Sequence, residues 1–369
     1  MKRKTVIWIA VFALLGNFGC GTKKVVEEKR DEKQTDDSEW QVNMCYMESG
    51  FLYKNPDSGK MEYYDYQTRK YRPLCAEPNC EHKTEECEAV YLAEKADFIG
   101  RYKERWYYFC EGEEGERAFY SCDLDGAGEK KIGEFAHHGG TFAASKVIFS
   151  EGSCLIATCE DVLDEKTYEW TGKVISGIYR FNLETGEETV FCEEKENTRP
   201  SYCIYGMVEG KLLYTEWNDQ GCMVKAKDLE SGEEQIIQNS GVIVQAAGTD
   251  NGIVFQIQEN GKYELKEVDM KHKTEASIEM EEAVGDIFWS DEIKSAIAYD
   301  EKGLESRIYL YEEQKKAFEL IRQVKSEETF VPCKSRGEML IGRDADGIAV
   351  MSEKDYLAGK TTWEKLKAE

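Results

Sequence analysis

Three cysteines and one histidine lie within a span of 13 residues and could hold a metal ion. They are Cys75, Cys80, His82 and Cys87, in the pattern C-x4-C-x-H-x4-C. Thiolate sulfur and imidazole nitrogen are the ligands that zinc prefers, and four of them complete a tetrahedral shell. Because such a shell leaves no coordination position open to a substrate, the spacing predicts a structural zinc site.

Two other interpretations of these four residues stay open at the level of sequence. Two of the cysteines could form a disulfide, leaving one free thiol and an incidental His82, because exported proteins favour disulfides. The group could also be a catalytic or redox site. Only four histidines occur in the chain, and the position of one of them among these cysteines favours metal. The cysteines that fall in or beside predicted strands are expected to be small buried hydrophobic residues: Cys110, Cys122, Cys154, Cys159, Cys192, Cys203 and Cys222.

The amino terminus has the features of an export signal. Positive charge at residues 2–4 precedes an apolar run from Val6 to Leu15, which is too short to span a bilayer as a helix. Gly19-Cys20-Gly21 resembles a bacterial lipobox, although Asn17 and Phe18 depart from that pattern. The resemblance implies a signal peptide at 1–19 and lipidation of Cys20, which would anchor the protein at the outer face of the cytoplasmic membrane of a bacterium. Ordinary secretion and an uncleaved anchor are the alternatives.

Residues 20–42 are expected to form a flexible tether, because twelve of the twenty residues from Gly21 to Trp40 are charged. The whole chain is also acidic, with a formal net charge of −25 over 369 residues. A surface of this charge repels the phosphates of DNA and RNA, so nucleic acid is excluded as a general partner. With 12% aromatic and 41% hydrophobic residues, the remainder can fill a large folded core.

A degenerate repeat runs through residues 43–369. Each copy has an aromatic or apolar pair, then an acidic or polar anchor residue and a polar turn, and further apolar strands lie between the copies. The anchors are Asp65, Asp123, Asn182, Asp228, Asp269, Glu312 and Ser352, and the last five lie 40–46 residues apart. This period is typical of propeller blades. We therefore predict an all-β chain with a single β-propeller of seven blades (six or eight as alternatives) and a Cys/His loop at 73–90.

Short motifs in the repeats resemble those of TolB-like propellers of bacterial envelope proteins. They are Asp123-Leu124-Asp125-Gly126 and the LETGE segment at 183–187. The segment from Leu74 to His82 also resembles an LC-x-x-P-x-C-x-H motif in a group of Firmicutes lipoproteins with propeller domains. These resemblances imply architecture and export, and they imply no activity.

No hydrolase or nucleotide-binding motif is present: the chain lacks G-x-S-x-G, H-E-x-x-H and a P-loop. We therefore expect a non-enzymatic binding or scaffolding module that takes a protein, peptide or glycan, with the membrane as a second partner through the lipid. One alternative is an envelope enzyme that acts on glycans or peptides at the axial face of the propeller. The other is a metal-handling protein that uses the Cys/His loop.

Overall fold

The computed structural model describes residues 38–366, except for 42–43, 48, 56–57, 76, 78, 85, 112–116, 125, 136–145, 165, 168, 219–220, 240, 337 and 346. The predicted signal peptide, Cys20 and most of the predicted tether lie outside the described residues. No helix in the described part of the chain has the length and apolarity needed to cross a membrane.

Five four-stranded antiparallel sheets form separate blades. The first blade has strands β6 (Ala96–Tyr102), β7 (Arg105–Glu111), β8 (Arg117–Asp123) and β9 (Lys130–Glu134). The second has β14 (Tyr202–Val208), β15 (Lys211–Asn218), β16 (Gly221–Asp228) and β17 (Glu234–Gln238). The third has β18 (Val242–Gly248), β19 (Gly252–Glu259), β20 (Lys262–Asp269) and β21 (Thr274–Met280). The fourth has β22 (Asp286–Trp289), β23 (Lys294–Tyr299), β24 (Glu305–Glu312) and β25 (Ala317–Lys325). The fifth has β26 (Val331–Arg336), β27 (Met339–Asp344), β28 (Gly347–Ser352) and β29 (Glu364–Lys365).

The other strands form one nine-stranded sheet. They are β1 (Ser38–Gln41), β2 (Met44–Tyr46), β3 (Gly50–Asn55), β4 (Lys60–Asp65), β5 (Lys70–Pro73), β10 (Val147–Ser150), β11 (Ser153–Leu163), β12 (Trp170–Asn182) and β13 (Glu188–Asn197). Their order is β13-β12-β11-β10-β1-β2-β3-β4-β5. Two short helices, α1 (Glu88–Lys95) and α2 (Glu353–Leu357), and a 3₁₀ turn at Ser326–Glu328 complete the described elements.

The prediction of an all-β propeller arrangement is confirmed, and the prediction of seven separate blades is wrong, since five are found. The difference comes from β1, which pairs with β10 on one edge and with β2 on the other. It thereby merges two runs of four strands, β2–β5 and β10–β13, into a single sheet. A count of local repeats misses such pairing, because its partners are more than 100 residues apart in the chain.

The predicted tether also ends earlier than residue 42, since Ser38–Gln41 forms β1. Ser38 is 2% exposed. Its hydroxyl donates to the carbonyl of Arg101 at 2.6 Å and accepts from the backbone N–H of Arg101 at 2.7 Å. These two bonds, together with backbone pairing on both edges, hold a segment whose charged composition by itself indicates a solvated chain.

The anchor residues of the repeat owe their recurrence to turn chemistry. The side-chain oxygens of Asp65, Asn182, Asp228 and Asp269 each accept a bond from the backbone N–H three residues later, at 2.7, 2.9, 2.8 and 2.7 Å. Each of these residues ends the third strand of a four-strand run and starts the turn into the fourth. A short Asx side chain can bond its own turn in this way, and few other side chains can.

The ring closes by packing of apolar side chains between neighbouring sheets. Leu213 and Phe255, for example, belong to one buried cluster shared by the second and third blades. The two ends of the folded chain meet in the same manner, because Phe51 of β3 lies in a cluster with Ile341 and Val350 of the fifth blade. The first strands of neighbouring runs contact one another and line the centre, and the more exposed fourth strands lie at the rim.

Candidate metal centre

The Cys/His loop, residues 73–90, replaces the short connection that normally leads from one propeller sheet to the next. It starts where β5 ends and runs into α1, which carries the chain on to β6. The backbone N–H of Leu74 still bonds to the carbonyl of Met61 in β4 at 2.9 Å, and Leu74 is buried. Cys75 therefore follows a residue fixed to the sheet, and Cys87 directly precedes a helix.

The structure brings together all four of the predicted ligands. The ligating atoms of Cys75, Cys80, His82 and Cys87 lie within 4.8 Å of one another. Nδ1 of His82 is 3.3 Å from Sγ of Cys87, and its backbone N–H donates to Sγ of Cys80 at 3.3 Å. In a tetrahedral Cys3His zinc site the ligand atoms are separated by about 3.5–3.8 Å, given Zn–N and Zn–S distances of about 2.0 and 2.3 Å. The Cys3His group could therefore hold a metal ion.

Two backbone reversals create this convergence. Asn79 and His82 adopt left-handed conformations, with φ of 64° and 51°. Backbone bonds close the turns on either side, from Cys80 N–H to the carbonyl of Glu77 at 3.3 Å and from Cys87 N–H to that of Thr84 at 2.9 Å. Because a left-handed residue turns the chain sharply, thirteen residues are enough to bring both ends of the motif to one point.

The four candidate ligands are partly or fully buried. Cys87 is 3% exposed and packs with Ala89 and Val90 of α1, with Cys75 and Cys80 against them. Burial, together with the neighbouring thiols, raises the pKa of Cys75 to about 12. Without a metal, Cys75 therefore keeps its proton at neutral pH, and a metal that binds there would displace it.

The cysteines elsewhere behave as apolar residues. All twelve from Cys45 to Cys333 are described as free thiols, so none of them forms the disulfide that the sequence left open. Of the seven cysteines in or beside predicted strands that were expected to be buried, six are buried and Cys203 is partly buried. Burial raises the pKa of Cys222, for example, to about 12, which makes it a poor nucleophile.

A second polar cluster, at the centre of the ring, was not predicted. Nζ of Lys146 lies 3.1 Å from Oε2 of Glu39 in β1 and donates to the carbonyl of Tyr205 at 2.7 Å. Burial would raise the pKa of Glu39, but the positive charges of Lys146, Lys334 and Arg336 outweigh it and lower the value to about 2. Glu39 and Lys146 are 107 residues apart, so no local motif could have indicated their pairing.

Comparisons with known proteins support the fold alone. No protein-family model matches the chain, and no curated protein matches it in sequence. Among solved structures, an uncharacterised protein of Listeria monocytogenes aligns with a TM-score of 0.51 at 11% identity, over 90% of this chain and 95% of that one.

Two further structures are more distant. TolB of Acinetobacter baumannii aligns with a TM-score of 0.36 at 14% identity, over 84% of this chain and 75% of that one. An acylaminoacyl peptidase of Pyrococcus horikoshii aligns with a TM-score of 0.46 at 10% identity, over 88% of this chain. The chain spans about half of the length of that peptidase (53%).

Proposed function

We propose that this protein is an extracytoplasmic lipoprotein whose propeller is a non-enzymatic binding or scaffolding module, stapled by one structural zinc ion. The observation that carries the zinc site is the convergence of Cys75, Cys80, His82 and Cys87, whose ligating atoms lie within 4.8 Å. Four protein ligands fill a tetrahedral shell and leave no position for a substrate or an activated water. Zinc there would fix the loop between β5 and α1.

Anchoring by lipid at Cys20 is supported by the sequence of the amino terminus. A signal at 1–19 would place the folded part outside the cytoplasmic membrane, and its removal takes three positive charges from −25, leaving −28. An anionic membrane repels such a surface, so two acyl chains would have to supply the attachment. Replacement of Cys20 by Ala should release the protein from the membrane fraction. Unchanged retention would contradict lipid anchoring.

A binding role is favoured over an enzymatic one by what fills the centre of the ring. The inner position between β2 and β10 is occupied by β1, and the carboxylate of Glu39 is paired with Lys146. A glycan-acting or peptide-acting enzyme at this face would need free acid and base groups. Metal handling is disfavoured because Cys87 is 3% exposed and the ligand set is complete.

Metal analysis of the full chain, purified under reducing conditions, tests the zinc site. We expect about one zinc per chain in the wild type and loss of zinc in the variant His82→Gln. His272→Gln is the matched control, because His272 lies in an exposed turn where it pairs with Asp269 at 2.8 Å. Fewer than about 0.5 zinc per wild-type chain, or equal zinc in both variants, would overturn the proposal.

A further inference from the structure

The strand β1 is held by backbone pairing on both of its edges, as a peptide inserted between two strands would be. It has four residues, and three of its positions pair with β10 and three with β2, both antiparallel. Its first residue, Ser38, also bonds through its hydroxyl to both backbone groups of Arg101 in β6. An extended segment that adds to exposed strand edges gains its affinity from the main chain, and its specificity comes from the side chains that meet pockets.

The side-chain specificity at this position is electrostatic. Glu39 meets the ammonium group of Lys146 at 3.1 Å, and the charges of Lys334 and Arg336 act on the same carboxylate. The only acid that ion-pairs with these three cations in the described residues, besides Glu39, is Asp250, 3.5 Å from Lys334. A local excess of positive charge at the centre of a chain with net charge −25 favours an acidic occupant.

One of the cations that act on Glu39 also has an unused hydrogen-bond donor. Nε of Arg336 is buried and has no hydrogen-bond partner, while its Nη1 donates to the carbonyl of Ser335 at 3.3 Å. A buried guanidinium N–H without an acceptor is costly, and Arg336 adds this unsatisfied donor to the positive charge that acts on Glu39.

We propose that the slot between the edges of β2 and β10 is a binding site for an extended acidic peptide. The slot is bounded by Arg101, Lys146, Lys334 and Arg336. In this chain β1 is its resident occupant. This inference rests on the proposed binding role and deepens it by naming the class of partner. Since β1 holds its place with only four residues, a segment of a partner with Ser-Glu in the same register can compete for the slot by strand exchange.

A labelled peptide with the sequence of residues 36–43, DDSEWQVN, tests the slot in trans against the full chain. In the variant Glu39→Gln the resident strand loses its charge. We therefore expect this variant to bind the peptide at least about tenfold more tightly than the wild type does. The same peptide with Gln in place of Glu should bind about tenfold more weakly. The exposed Glu313→Gln variant should bind as the wild type does.

Ser38→Ala is a second variant that should weaken the attachment of β1. It removes the bonds to Arg101 and leaves the charge of Glu39 in place. It should also increase peptide binding. Equal binding of the Glu and Gln peptides, or no binding to either opened variant while circular dichroism and the melting temperature stay native, would overturn the slot. Zinc content separates this failure from that of the proposed function: a chain with one zinc and no peptide binding contradicts the slot alone.

Discussion

Replacement of Glu39 by Gln should weaken the attachment of β1 by a few kcal/mol at neutral pH. The folded chain holds the pKa of Glu39 at about 2, against an ordinary value of 4.5. Each unit of this difference corresponds to about 1.4 kcal/mol, so the ionised carboxylate stabilises the folded state by roughly 3 kcal/mol. Because the side chain is 29% exposed, water screens part of this, and about 2 kcal/mol is the expected loss.

The pH dependence follows from the sign of the shift. A carboxyl whose pKa is lowered on folding stabilises the protein above its unfolded pKa, and the stabilisation is lost as the pH falls through the folded pKa. The difference between wild type and Glu39→Gln should therefore be full at pH 7, shrink below about pH 4.5 and vanish near pH 2. Gln cannot titrate, so the variant serves as the reference at each pH.

Two measurements on the full chain report this difference. Native-state hydrogen exchange of the β1 amides gives the free energy of local opening, and urea unfolding gives the global value. We expect the larger loss in the exchange of β1, because only this strand depends directly on Glu39. Glu313→Gln, in an exposed turn, should change either value by less than about 0.5 kcal/mol. Equal opening of wild type and Glu39→Gln at pH 7, or a difference that grows as the pH falls, would refute the reasoning.

Three further predictions concern the blades and the loop. Lys225→Met should lower the free energy of unfolding by about 2 kcal/mol in urea melts, because Nζ of Lys225 donates to the buried Glu216 at 2.7 Å and to Glu234 at 2.6 Å, and only Lys195 would remain to pair with Glu216. Gly100→Ala should lower the stability by about 1–3 kcal/mol in thermal unfolding, because a Cβ there would lie 2.0 Å from the ring of Phe149. Gly206→Ala should be close to neutral, because no atom lies within 4 Å of its Cβ. Similar melting of both variants would contradict this prediction. Removal of zinc by a chelator should open the Cys/His loop to limited proteolysis and leave the blades intact, and an unchanged cleavage pattern would count against a structural metal.

Local chemistry in the sequence was enough to predict the repeat and the ligand set. Asp65, Asn182, Asp228 and Asp269 recur because each bonds the turn that follows it. Such a bond depends on neighbours three residues away, which any sequence displays. The four candidate metal ligands are likewise close in sequence, and two left-handed turns suffice to join them.

The number of separate blades and the central cluster could be decided only by tertiary structure. Both depend on β1, whose charged flanking sequence is typical of a tether but whose backbone bonds to β2 and β10 and fuses two runs of strands. The charge of Glu39 is balanced by Lys146, Lys334 and Arg336, which come together only when the ring closes. Composition and spacing describe a segment by itself, whereas strand pairing and ion pairing depend on the partners that the fold brings to it. The sequence therefore determined the repeating unit and the Cys3His group that could hold a metal ion, and the closed ring decided what occupies its centre.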